Sequence, residues 1–172
     1  MKTMKKSYLI ALTILLTGVL TFSCKSDDDG GGGGGASSGT ITAKVDGTTV
    51  TTIELTTAAQ ISGGALMITG NDGGSSTNKA FSLSITSLDG TGTYPIGGGA
   101  NVFNVASYVE TNVSDPMNAQ IWQAPYDDTQ VGEINISELS DSHVKGTFSF
   151  HAKNADGNIK NITEGSFNVG LN

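Results

Sequence analysis

Few side chains in this chain are of types that do chemistry, and their spacing limits what they could do. The histidines are His143 and His151 alone. Eight residues apart on one extended strand they would lie up to about 26 Å apart at ~3.3 Å per residue, which separates them from any shared metal ion. Ser142 or Ser166 could be paired with a histidine as a nucleophile. The chain has no Gly-x-Ser-x-Gly turn to present such a serine, so nucleophilic catalysis is not expected. Glu133 with Glu138, and Asp127 with Asp128, supply neighbouring carboxylates, and solvated acids of this kind do not by themselves make a glycosidase pair. Calcium is the ion this composition would suit, since it seeks oxygen ligands. Asn154-x-Asp156-x-Asn158 has the start of a calcium loop, but Ile159 replaces the required glycine and Gly165 stands where a bidentate Glu belongs. Asn, Asp and Gly in that order read as a turn. The remaining candidate is Gln120–Asp128 (QIWQAPYDD). There Trp122, Tyr126, Asp127 and Asp128 combine flat rings with carboxylates and amides, the mixture that stacks on a sugar ring and fixes its hydroxyls. The plainer alternative is that Trp122 is buried, because Ile121 and Trp122 must face opposite sides of a strand.

The elements that would position these residues are strands. From Gly39 onward apolar residues alternate with polar ones and helical periodicity is hard to find. Thr40–Val45 alternates through Ile41, Ala43 and Val45, and Asp46–Gly47 follows as a hairpin turn. Further strands are expected at Thr49–Thr56, Ala65–Thr69, Lys79–Thr86, Thr93–Ile96, Val102–Val109, Ala119–Gln123, Gly132–Glu138, Val144–Ala152, Asn158–Thr163 and Ser166–Leu171. Thr56–Ser62 (TTAAQIS) is the one short candidate helix. About ten short strands at this spacing predict a single all-β domain, an antiparallel sandwich or barrel. In the C-terminal third, Ile134 and Ile136, then Val144, Phe148, Phe150 and Ala152, then Phe167, Val169 and Leu171 fall on shared faces, as in a meander. His151 falls on the opposite, outer face.

Bulk composition excludes some functions. The 172 residues carry nine Lys and no Arg against sixteen acids. Three of the lysines lie in residues 1–6, so the chain from Cys24 onward has a formal charge of −10. Nucleic-acid binding needs clustered cations, and no nucleic-acid partner is expected. The same balance disfavours a peripheral hold on anionic lipid. A single cysteine, Cys24, rules out an internal disulfide.

The N-terminus reads as an address. Lys2, Lys5 and Lys6 precede an apolar run, Ser7–Leu20, and Thr21–Phe22–Ser23–Cys24 closes it. That is the plan of a secretory signal over residues 1–23, and the run is short for a span of ~20 apolar residues. Ser23–Cys24 resembles the lipobox of bacterial lipoproteins, with Leu20 one place farther from the cysteine than usual. The resemblance implies that Cys24 carries acyl chains, each buried CH₂ contributing about 0.8 kcal/mol to anchoring. Lys25 followed by Asp27, Asp28 and Asp29 resembles the export signal of Bacteroidota surface lipoproteins and implies the outer membrane, facing the exterior. Gly30–Gly35 and the residues to Ser38 complete a tether over 24–38, a flexible coil of roughly 20 Å r.m.s. span. The domain is expected over 39–172.

The C-terminal strands, GEINISEL, VKGTFSFHA and ITEGSFNV, with ITAKVDG at the start and GTYPI at Gly92–Ile96, resemble a Bacteroidota lipoprotein family of unknown function. The resemblance runs from about Thr40 to Leu171 and implies an all-β lipoprotein without an assigned activity. The function expected is therefore a non-enzymatic surface module binding glycan or protein. A structural or accessory subunit of an outer-membrane assembly, and a hydrolase with an unrecognised acidic site, are the alternatives.

Overall fold

The computed structural model describes residues 35–99 and 103–172. Cys24, Lys25, Asp27, Asp28 and Asp29 lie outside the described residues. β1 (Thr40–Val45) buries Ile41, Ala43 and Val45 and leaves Thr42 and Lys44 between them half-buried. Asp46 and Gly47 turn the chain with φ of 47° and 84°. That pair of positive values suits the right-handed twist of a hairpin, and β2 (Thr48–Thr51) returns along β1.

Eleven strands form one curled antiparallel sheet. After β2 come β3 (Ala58–Ser62), β4 (Ala65–Asn71), β5 (Thr77–Ile85), β6 (Gly92–Ile96), β7 (Val105–Asn112) and β8 (Gln120–Ala124). The chain ends in β9 (Gly132–Leu139), β10 (His143–Lys153) and β11 (Ile159–Gly170). The main path runs β2-β1-β11-β10-β8-β7-β5-β4-β3, while β9 pairs with β10 and carries β6 on its other side. The long β10 makes this branching feasible. Val144–Phe150 pairs with β9, and Lys153, farther along the same edge, meets Gln123 of β8. The curl brings the far edge back, so Ala59 of β3 bridges Leu171 in parallel and Asn172 N–H donates to the Ala59 carbonyl. The all-β expectation holds, and between sandwich and barrel the sheet takes the form of a half-barrel, with its apolar face rolled inward.

The core depends on glycines facing phenylalanines. Gly132 lies directly opposite Phe150, Gly146 opposite Phe167, Gly165 opposite Phe148, and Gly70 opposite Phe81. Phe148 stacks between Phe150 and Phe167, with both interplanar angles 27°. At Gly146 a Cβ would stand 2.6 Å from Phe167 Cζ, and at Gly165 it would stand 2.7 Å from the Phe148 ring. The rings therefore occupy space that any other residue would fill, and the strand pairs close tightly at those points.

Three local expectations are corrected. The strand expected over Thr49–Thr56 stops at Thr51. Thr52 is buried and its Oγ1 accepts from Ile41 N–H (2.9 Å), which turns the chain into a 3₁₀ turn at Glu54–Thr56. The candidate helix at Thr56–Ser62 is instead strand β3. Gly63 and Gly64, with φ of 59° and 80°, make a two-residue hairpin that pairs it with β4 along its whole length. The two strands expected at Asn158–Thr163 and Ser166–Leu171 are one, β11. A bulge at Glu164 (φ 51°) bends it, since Phe148 pairs Gly165 while Phe150 pairs Ile162.

Candidate functional site

β8 carries the segment singled out in the sequence, and its alternation decides which side chains reach solvent. Trp122 sits opposite Tyr108 of β7 and faces the core with Ala124. Trp122 is 6% exposed, whereas Ile121 is 49% exposed. The expected stacking ring is therefore a core residue, and the opposite face of the strand meets solvent. Its Nε1 is buried with no hydrogen-bond partner among the described residues, an arrangement that ordinarily costs about 1–3 kcal/mol. Lys160 offsets part of that cost, its Nζ lying 4.6 Å from the Trp122 ring centroid.

Tyr126 remains near the surface. Ala124–Pro125 is a cis peptide bond, and beyond it Tyr126 packs with one ring face under Lys153, whose Nζ is 4.4 Å from the centroid. Ile121, Gln123, Pro125, Tyr126, Lys153 and Asn154 surround an open depression of about 390 Å³. Its floor is apolar and its rim carries two amides and one cation. Asn154 is fixed there because its Oδ1 accepts from the Asp156 and Asn158 N–H groups at 3.1 and 2.8 Å. Those bonds spend on a turn the oxygen that a calcium loop would need. Asp127 and Asp128 stand on the exposed loop beyond Tyr126. Asp127 Oδ1 accepts from Thr129 Oγ1 (2.6 Å) and Thr129 N–H (2.9 Å). These bonds, with a smaller contribution from Lys153, hold its carboxyl below the usual range. Trp122 and Tyr126 are thus not brought to one surface, while Tyr126 gains Gln123, Lys153 and Asn154 as neighbours.

A second polar cluster sits inside the curl. Lys160 of β11 has the inward parity of Ile162, and Glu110 of β7 has that of Tyr108. Lys160 Nζ lies 3.2 Å from Glu110 Oε1 and 3.8 Å from Asp46 Oδ2, and 5.6 Å from the Tyr108 ring centroid. Tyr108 O–H donates to Glu110 Oε1 (2.9 Å). Burial first, then that bond and the acid's charge, push the phenol far above its ordinary value, so it stays a donor. The cluster ties the β1–β2 turn, β7, β8 and β11 together at one end of the sheet. Sequence reading missed it, although a charge at inward parity in an apolar-alternating strand was the available signal.

At the β9–β10 turn, Ser140 Oγ lies 2.9 Å from His143 Nδ1, and His143 Nε2 lies 3.3 Å from Glu138 Oε2. A serine, an imidazole and a carboxylate in a row invite a catalytic reading, but the surroundings argue against it. Ser140 Oγ also accepts from Ser142 N–H (3.3 Å) and His143 N–H (3.1 Å), so the nearby amides point at the serine oxygen itself. They leave no donor pair for an oxyanion. The acid is shared with Lys145 Nζ at 3.0 Å. His151 instead bonds Asn161 Oδ1 through Nδ1 (2.6 Å) on the outer face. The two histidines serve separate turns and strands. Ser166 is buried in β11.

Glu133 lines two shallow depressions over β9, β10 and β11, of about 160 and 480 Å³. Glu164, on the rim of the smaller, is held by Lys44 at 2.8 Å. Among the described residues no three His, Cys, Asp or Glu side chains converge as a metal site, and no helix is long and apolar enough to cross a membrane.

Residues 37–169 match the family model described as a domain of unknown function, DUF6252. No curated protein and no solved structure matches the chain.

Proposed function

Since the chain belongs to the DUF6252 family, we propose its function from its own side chains: a non-enzymatic binding module held at the outer membrane by acyl chains on Cys24. Its ligand is a glycan or a protein outside the cell. The observation that carries the binding role is the depression beside Tyr126. An exposed isoleucine, a proline and a tyrosine ring form an apolar floor, and the Gln123 amide and the Lys153 ammonium stand at its rim. Such sites take ligands through a mostly apolar contact and a few placed polar groups. The anchoring half of the proposal rests on the leader, Cys24 and the acidic residues after it.

Two experiments test the halves separately. Mass spectrometry of the protein from its native envelope should find Cys24 acylated and residues 1–23 removed, and Cys24→Ser should move the protein out of the membrane fraction. For the ligand, the full chain and Tyr126→Ala are compared on glycan arrays and in cross-linking to envelope proteins. A ligand lost in the variant supports the site, and no ligand of either class overturns it.

A further inference from the structure

Resting on the binding-module reading, we infer that the whole outer face of β3, β4, β5, β7 and β8 is the ligand surface and that it takes an uncharged, hydroxyl-rich chain, a neutral glycan. In these five strands Lys79 and Glu110 are the only charged residues, and both have inward parity, with Phe81 and Tyr108. Every outward position is Ala, Val, Ile, Met, Ser, Thr, Asn or Gln. The opposite half of the sheet is ordinary by comparison, since its outer face carries Lys44, Glu133, Glu138, Lys145 and Glu164. A face that met only water would carry such charges, which keep a domain in solution. Their absence across five neighbouring strands is the pattern of a surface that is covered.

The chemistry of the face fits one occupant. Thr69, Ser82, Ser107 and Gln123 lie directly opposite one another from β4 to β8. At about 4.8 Å between strands they make a straight row of groups that both donate and accept, as sugar hydroxyls do. Apolar side chains flank the row, Met67 and Val105 on one side and Val109 and Ile121 on the other. They suit the C–H faces of pyranose rings. Three depressions follow one another across the strands, of about 120 Å³ at β3–β4, about 240 Å³ at β4–β7 and about 390 Å³ beside Tyr126. A polyanion would find no counter-charge on the five strands and a single cation, Lys153, at their edge beside Asp127 and Asp128, and would meet a chain whose formal charge from Cys24 onward is −10. The same charge opposes a second copy. A protein interface of this area would be expected to present several Trp, Tyr or Arg anchors, and Tyr126 at the rim is the only one.

The test is affinity electrophoresis of the full chain through gels containing neutral polysaccharides (dextran, mannan, xylan) or polyanionic ones (alginate, heparin). At least one neutral polymer should retard the protein and neither polyanion should. Ser82→Lys and Ser82→Glu should each weaken retention at least tenfold, because either charge would be stranded under an uncharged ligand. Ser149→Lys, on the other half of the sheet, should leave retention unchanged, and circular dichroism confirms that all three variants fold. No retention by any neutral polymer overturns the inference, as does retention that the Ser82 variants leave intact. A protein or polyanion ligand that is lost in Tyr126→Ala but indifferent to Ser82 overturns it while sparing the module. Absence of every ligand removes both.

Discussion

Gly146→Ala should unfold this domain more readily although alanine is the better strand residue. The backbone at Gly146 lies outside the left-handed region, so the added methyl meets no conformational penalty. By reducing the freedom of the unfolded chain it would contribute about 0.4–1 kcal/mol in favour of folding. Against that, its Cβ would stand 2.0 Å from the Asn135 carbonyl oxygen and 2.6 Å from Phe167 Cζ. The carbonyl belongs to β9 and cannot rotate away. Relief requires β9 and β10 to separate locally, which weakens a ladder hydrogen bond worth about 1 kcal/mol. Phe167 is fully buried and stacked on Phe148, so moving its ring adds an overpacking cost of about 1–3 kcal/mol. The net loss is about 2 kcal/mol. Urea unfolding followed by circular dichroism reads it as a midpoint about 1 M lower, for an m-value of about 2 kcal/mol/M. Gly170→Ala is the control, at an exposed position of β11 where the nearest atom to the new Cβ is Ser142 O at 3.8 Å. It should be neutral or slightly stabilising. If Gly146→Ala unfolds within about 0.2 M of the wild type, or Gly170→Ala is equally damaging, the ring-over-glycine account fails.

Lys160→Met should cost about 1–2 kcal/mol by removing a cation from two aromatic faces and from Glu110. Because Trp122 is the only tryptophan, its fluorescence should change in the same variant, and an unaltered spectrum with unaltered stability would refute the cluster. Thr52→Val should lose about 1–3 kcal/mol in thermal unfolding, since it strands the buried Ile41 N–H that Thr52 Oγ1 satisfies. Hydrogen bonds from Lys145 and then His143 hold the Glu138 carboxyl below its ordinary range. Its support of the β9–β10 turn is therefore complete above the ordinary Glu value near 4.3 and is lost as pH falls through the lower folded value. Carboxyl NMR should place its midpoint below that of free Glu, and Lys145→Ala should bring it back up.

Much of the architecture was legible because alternation is a local signal. Ile41, Ala43 and Val45, or Val144, Phe148, Phe150 and Ala152, announce a buried face whatever their partners. Asp46–Gly47 announces its hairpin for an equally local reason, two adjacent residues able to take positive φ. Where the reading erred, a distant partner decided the outcome. Thr52 left its strand to bond Ile41, TTAAQIS became β3 because β4 lay beside it, and Glu164 bent β11 without ending it because β1 and β10 continued to pair on either side.

The candidate site divides along the same line. Composition and order alone established a single acidic β-domain without arginine or internal disulfide, and the alternation showed that Ile121 and Trp122 must part company. Only the folded sheet decided which of them turned inward, because the choice belongs to the register with Tyr108 on β7. The folded sheet also collected Lys160, Glu110 and Asp46, and cleared charge from one outer face, by joining strands far apart in the chain. Parity is written into each strand by the geometry of the pleat, but neighbours across a sheet are chosen by pairing, and no stretch of sequence contains its own partner.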